Sequence, residues 1–157
     1  MQVHIKTKIN APAEKVWQIL AHQFDDIATW SSIVNESRRL SAGEIPAGFT
    51  PAPSAPVLGR ETVSPALKAK EIITHYSEEK MELTFEAADL PPIMTYADDV
   101  QRVIPNGPNQ CIVTFDIRME PWGPLKIFNP ILKGRFAKTM GGVQQDLKQY
   151  AETGQAA

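Results

Sequence analysis

The chain has 157 residues, of which 43% are hydrophobic and 22% charged, and its formal net charge is −2. That is an ordinary globular composition, long enough to bury a core without disulfides, and it argues against collagen-like, disulfide-stapled and disordered chains. There is no basic excess to neutralise a phosphate backbone, so nucleic acid is not an expected partner.

Val3, Ile5, Thr7 and Ile9 alternate with His4, Lys6 and Lys8, which predicts a half-buried strand. Asn10 is placed to cap a helix with Pro12 in its first turn, and Val16, Trp17, Ile19 and Leu20 give that helix an apolar stripe over Ala13–His22. A second short helical piece is expected over Phe24–Trp30, and a polar strand over Ile33–Leu40. From Gly43 to Pro65 five prolines and three glycines exclude a continuous helix and leave room for a short strand near Leu58–Val63. The stretch reads either as a surface loop or as a semi-rigid flap over a binding site.

Lys68–Tyr76 is the next strand. Met81, Leu83, Phe85 and Ala87 alternate with Glu82, Thr84 and Glu86, and the short connection predicts a hairpin. Tyr96–Ile104 forms another strand, stopped by Pro105-Asn106-Gly107-Pro108. Cys111, Val113, Phe115, Ile117 and Met119 supply the apolar face of the last one. After Pro121–Pro124 the period becomes helical. Phe128, Leu132, Phe136, Met140, Val143 and Leu147 line one side of a helix expected over Pro130–Ala151, about 33 Å long. Thr153–Ala157 reads as a frayed tail. No linker or repeat divides the chain, so one domain over 1–157 is expected. No apolar run approaches a membrane span, integral membrane association is not expected, and the N-terminal segment lacks a signal-peptide core, so a cytoplasmic protein is the default expectation.

The order of elements calls for an α+β fold: a curved antiparallel sheet wrapped around the long C-terminal helix, with two short helices near the N-terminus. Ile9-Asn10-Ala11-Pro12-Ala13-Glu14-Lys15-Val16-Trp17, followed by Leu20, Phe24-Asp25 and Trp30, resembles the opening signature of the START/SRPBCC superfamily, which has the helix-grip fold. Gly59-Arg60, Leu83-Thr84-Phe85 and the terminal helix fall in the expected order, and within that superfamily the chain most resembles the small bacterial polyketide cyclase/dehydrase and lipid-transport family. The resemblance implies an elongated apolar cavity between sheet and helix. Members of the family bind lipids, polyketides or other hydrophobic molecules there, and some catalyse cyclisation or dehydration.

No GxSxG, HExxH, CxxC, Walker or GxGxxG motif is present. His4, His22 and His75 fit no metal pattern, and Cys111, on the apolar parity of its strand, reads as a buried inert thiol. Neither a metal nor a cofactor is expected. Asp98 and Asp99 are strand neighbours pointing to opposite faces, so they form no acid/base dyad. Asp98 and Arg102 share a parity with Tyr96, Val100 and Ile104; if that parity faces inward, they become polar orienters for a substrate. Trp30, Phe85, Tyr96, Phe115, Met119, Phe136 and Met140 are the candidate ligand-binding residues, with simple core packing as the competing explanation. Phe49, the one aromatic in the proline-rich segment, is a candidate gate, because Ala47–Val57 offers little to anchor it in a core. The reading is a binder of a hydrophobic or amphipathic small molecule, lipid or polyketide-like. The alternative is a cyclase or dehydratase using the same cavity, with Tyr96, Asp98 or Arg102 as the acid/base or carbonyl-polarising group. Oligomeric state is not legible.

Overall fold

A computed structural model describes residues 1–157. It contains β1 (Gln2–Ile9), α1 (Ala13–Trp17), β2 (Glu36–Arg39), β3 (Gly59–Val63), β4 (Lys68–Ser77), β5 (Glu82–Ala88), β6 (Met94–Pro105), β7 (Cys111–Pro121) and α2 (Asn129–Thr153). A π-helical turn, Gln18–His22, continues α1, and 3₁₀ segments cover Phe24–Thr29, Ala42–Glu44 and Gly123–Phe128. The strands form one antiparallel sheet in the order β1-β7-β6-β5-β4-β3-β2. Register shifts between Ile73 and His75, and between Met94 and Tyr96, mark irregularities of the kind that bend a strand and increase its twist. The result is the expected α+β helix-grip fold, with a long C-terminal helix against a curved sheet.

The inner face is set by the alternation of β1 and β7. Val3, Ile9, Val113, Phe115, Ile117 and Met119 enter one core cluster with Val16, Trp17, Phe24 and Trp30 from the N-terminal helical segments and Val143, Leu147 and Ala151 from α2. The side-chain cap expected at Asn10 is replaced by another arrangement. Pro12 precedes α1, and its carbonyl accepts from the Lys15 and Val16 amides. Asn10 instead receives Gln110 Nε2 on its side-chain oxygen and donates its amide to Glu152. Asn129 lies within α2, whose N-cap is Phe128. At the other end Gly154, with φ of 74°, takes the left-handed turn that closes α2.

The proline-rich segment departs from expectation. Ala52 and Val57 are buried members of the core. The Ala52 amide donates to the Ile73 carbonyl at 2.8 Å, and the Ile73 amide donates to the Leu58 carbonyl at 2.9 Å. Small side chains and free backbone groups between the prolines therefore anchor a loop that appeared to have no anchor. Gly59 follows where the chain runs closest to β4: a Cβ there would stand 2.5 Å from the Glu71 carbonyl oxygen.

Helix α2 is seated unevenly. Every buried residue it has lies at or beyond Val143, while Ile131 is 61% exposed. Leu147→Ala should therefore cost about 2–5 kcal/mol, and Ile131→Ala should leave stability within about 0.5 kcal/mol. Denaturant unfolding of the two variants checks this; equal losses would show that both halves of α2 are packed alike.

Candidate functional site

Strand β6 decides which polar groups meet the interior. Asp99 pairs with Ile117, Gln101 with Phe115 and Val103 with Val113, so Asp99, Gln101 and Val103 share the inner face. Asp98 pairs with Arg118, Arg102 with Thr114 and Tyr96 with Glu120, which puts Tyr96, Asp98 and Arg102 on the outer face. The condition for these three to orient an interior ligand is not met. They build a surface network instead. Tyr96 OH donates to Asp98 at 2.8 Å, Arg118 donates to Asp98 at 2.5 Å, and Arg102 donates to Glu82 at 2.5 Å and Asp116 at 2.7 Å. Partial burial, followed by the bond to Asp98, raises the Tyr96 phenol above its ordinary value.

A cleft of about 550 Å³ opens mainly on this outer face, lined by residues including His4, Asp98, Asp116 and Arg118, with Lys133 of α2 completing the lining. A smaller one of about 160 Å³ lies at the β2–β3 edge against Glu36, Arg38 and Lys68. Neither is the expected space between sheet and helix. Trp17, Phe24 and Trp30, from the N-terminal helical segments, are buried in the core that lies against the inner face of the sheet.

The other predicted residues lie in or beside the core. Trp30, Phe85, Phe115 and Met119 are buried in it, and Phe136 and Met140 are half-buried against it. Phe49 is half-buried three residues before the Ala52 anchor and is not part of that cluster.

Within this apolar surround the structure brings together a polar group that sequence reasoning missed. Asp99 is 2% exposed, and Phe85 faces it across the β5–β6 pair. Gln101 Nε2 donates to Asp99 Oδ2 at 2.7 Å, while Asp99 Oδ1 has no partner. Arg60, also buried, donates to Glu71 at 2.5 Å and to the Phe24 carbonyl at 2.7 Å. Its guanidinium lies 3.9 Å from the centre of the Phe24 ring and 5.5 Å from that of Phe85, so two aromatic faces stabilise the cation from which water has been removed. Trp30 Nε1 is also buried and unpartnered.

Burial pushes the Asp99 carboxyl up to about 7; the Gln101 bond opposes the shift, Glu71 adds to it, Arg60 opposes it, and Asp116 adds to it. A buried carboxyl shifted upward in this way is suited to donating a proton or a hydrogen bond to a polar group on a ligand. Cys111 offers no rival chemistry, since burial lifts its thiol to about 11. Ala69, Glu71 and Ile73 on β4, and Arg60 beside Gly59, show the alternation that would place Arg60 and Glu71 inward. At Asp98-Asp99, two adjacent carboxylates hide that signal.

A carboxyl whose pKa is raised on folding binds its proton more tightly in the folded state, so its burial is tolerated at low pH and costs stability as pH rises from about 4 to about 7. Asp99→Asn keeps an oxygen for Gln101 and removes the charge. It should stabilise the fold at pH 8 by on the order of 3 kcal/mol and change little at pH 4. Thermal unfolding at the two pH values checks this, and an equal effect at both would remove the titration of Asp99 as the cause.

The fold has many structural counterparts. A START superfamily protein from Mycobacterium smegmatis superposes with a TM-score of 0.75 at 14% identity, covering 96% of this chain and 97% of that one. A truncated norcoclaurine synthase from Thalictrum flavum gives 0.64 at 14% identity, covering 95% and 91%. The di-domain ARO/CYC BexL of the BE-7585A biosynthetic pathway gives 0.71 at 8% identity, covering 96% of this chain and 47% of that one. Nothing among curated protein sequences matches. Residues 1–152 match the family model described as polyketide cyclase / dehydrase and lipid transport, and the chain belongs to that family.

Proposed function

We propose that the protein binds one hydrophobic or amphipathic small molecule, lipid or polyketide-like, between the inner face of the sheet and α2, with the polar end of the ligand at Asp99 and Gln101. The observation that carries this reading is the unpartnered Oδ1 of a buried carboxyl on the inner face of the sheet. An orphaned buried acceptor is costly, and a ligand hydroxyl, or a carbonyl facing the protonated acid, removes that cost. Phe85, at its register position, supplies an apolar wall. The first half of α2 has no buried residue and leaves Phe136 and Met140 half-covered, so moving it aside exposes little core. Burying about 200 Å² of apolar ligand surface contributes roughly 5 kcal/mol gross, before association and ordering costs.

A second reading rests on the same carboxyl. An acid poised near neutrality beside a bound carbonyl is a general acid/base, which suits a cyclase or dehydratase. Norcoclaurine synthase and the ARO/CYC protein, which share the fold, carry enzymes' names, and that supports keeping this reading second.

Titration with a fluorescent long-chain fatty acid tests binding. One probe per chain is expected. Affinity should fall as pH rises through about 7, because ionised Asp99 repels the probe's carboxylate, approaching a tenfold loss per unit above that value. Asp99→Asn should bind with the pH dependence removed. Absence of saturable binding to a panel of fatty acids and aromatic polyketides would overturn the carrier reading; turnover of a polyketide that Asp99→Asn abolishes would favour the enzyme.

A further inference from the structure

The segment joining β7 to the first turns of α2 is apolar and uncovered. Ile127 is 77% exposed, Ile131 61% and Trp122 55%, and Phe128 and Leu132 are exposed beside them. The Trp122 amide donates to the Ile93 carbonyl at 2.8 Å, which ties a further exposed isoleucine to the same surface. Exposed apolar side chains are ordinary when scattered, but a contiguous group of this size marks a surface that meets something.

The charge around it says what. Between Pro121 and Gln145 the chain has Lys126, Lys133, Arg135 and Lys138 and no Asp or Glu, although the whole chain is net negative. All four cations are exposed, and none forms an ion pair. On α2, Ile131, Arg135 and Lys138 follow i, i+4, i+7 spacing, so an apolar residue and two long cations share one exposed side. Apolar anchors interleaved with unpaired lysine and arginine are the chemistry of a segment lying in the interface of an anionic bilayer. The anchors enter the acyl boundary and the cations meet the headgroups. No helix of the protein is long and apolar enough to cross a membrane, so the contact is a surface one.

We infer that Trp122–Lys138 docks the protein on the surface of an anionic lipid membrane. A second copy of the chain is the less suitable occupant: two such surfaces face to face would bring together eight unpaired cations with no acidic partners inside the segment. The inference stands independently of what the interior binds.

Flotation with vesicles tests it, using pure phosphatidylcholine and a mixture containing about 30% phosphatidylglycerol. The intact protein should float with the anionic vesicles and not with the zwitterionic ones, and should be released as salt rises from about 0.05 to about 0.5 M. Lys126→Glu/Lys133→Glu and, separately, Ile127→Asp/Ile131→Asp should each weaken the partition at least about tenfold. The altered residues are exposed, and unchanged thermal unfolding confirms that both variants keep the fold. Failure of the wild type to float with anionic vesicles overturns the inference, as does undiminished flotation of both variants. Sedimentation gives the remaining outcome: a dimer that Ile127→Asp/Ile131→Asp dissociates, without vesicle binding, assigns the surface to a second copy and overturns the membrane.

Discussion

Gln144 is wholly buried, and both ends of its amide are engaged. Its Oε1 accepts from Thr7 Oγ1 at 2.6 Å, and its Nε2 donates to the Ile5 carbonyl at 3.2 Å. Further along α2, Lys148 reaches the Lys8 carbonyl and Glu152 accepts the Asn10 amide, while Asp146 holds the Ser32 amide and hydroxyl. With Leu147 and Ala151 at zero exposure between these contacts, the last three turns of α2 are locked in register along β1. A buried amide makes that register specific, because any slip would leave two polar groups without partners in a dry interior. No equivalent clamp holds the first half of the helix. The contrast between a fixed and a loosely seated half leaves the β7–α2 junction in solvent.

The sheet repeats this pairing of order with unmet valence. Its outer face neutralises its charges in pairs around Asp98, Arg118, Glu82, Arg102 and Asp116. Its inner face carries Arg60 matched with Glu71 and two aromatic rings, but Asp99 matched on one oxygen alone. Trp17, Trp30, Thr114 and Asn129 also hold a buried side-chain polar atom without a partner, but Asp99 is the only carboxyl among them.

Much of this was legible in the sequence. β1, β5 and β7 show clean alternation, and the period change after Pro124 locates α2 to within two residues at its C-terminal end. β6 was legible as a strand but not in its orientation. Tyr96, Asp98 and Arg102 on one parity and Asp99 and Gln101 on the other are equally polar, so hydrophobic alternation cannot choose, and only pairing with the unambiguous β7 does. The anchoring of the proline-rich loop escaped because it depends on Ala52 and Val57 and on backbone hydrogen bonds, which carry little compositional signal. Leu132 lies on the apolar stripe yet is exposed, because periodicity reports which side of a helix is apolar and not how far along it the partner surface extends.

That loop has a further effect at the other side of the sheet. β3 begins at Gly59 opposite Ile72, and beyond that point both backbone groups of Ile73 are taken by Leu58 and Ala52. Pro51, Pro53 and Pro56 have no amide hydrogen to offer, so the covering chain cannot extend the ladder outward. The outermost strand, β2, is only four residues long and bears Glu36, Arg38 and Arg39. A strand arriving from a neighbouring molecule finds a short, charged border and then a stretch already occupied by a segment that cannot itself be paired against. The prolines thus act as a selvedge, closing this side of the sheet to the edge-to-edge growth that leads toward fibrils.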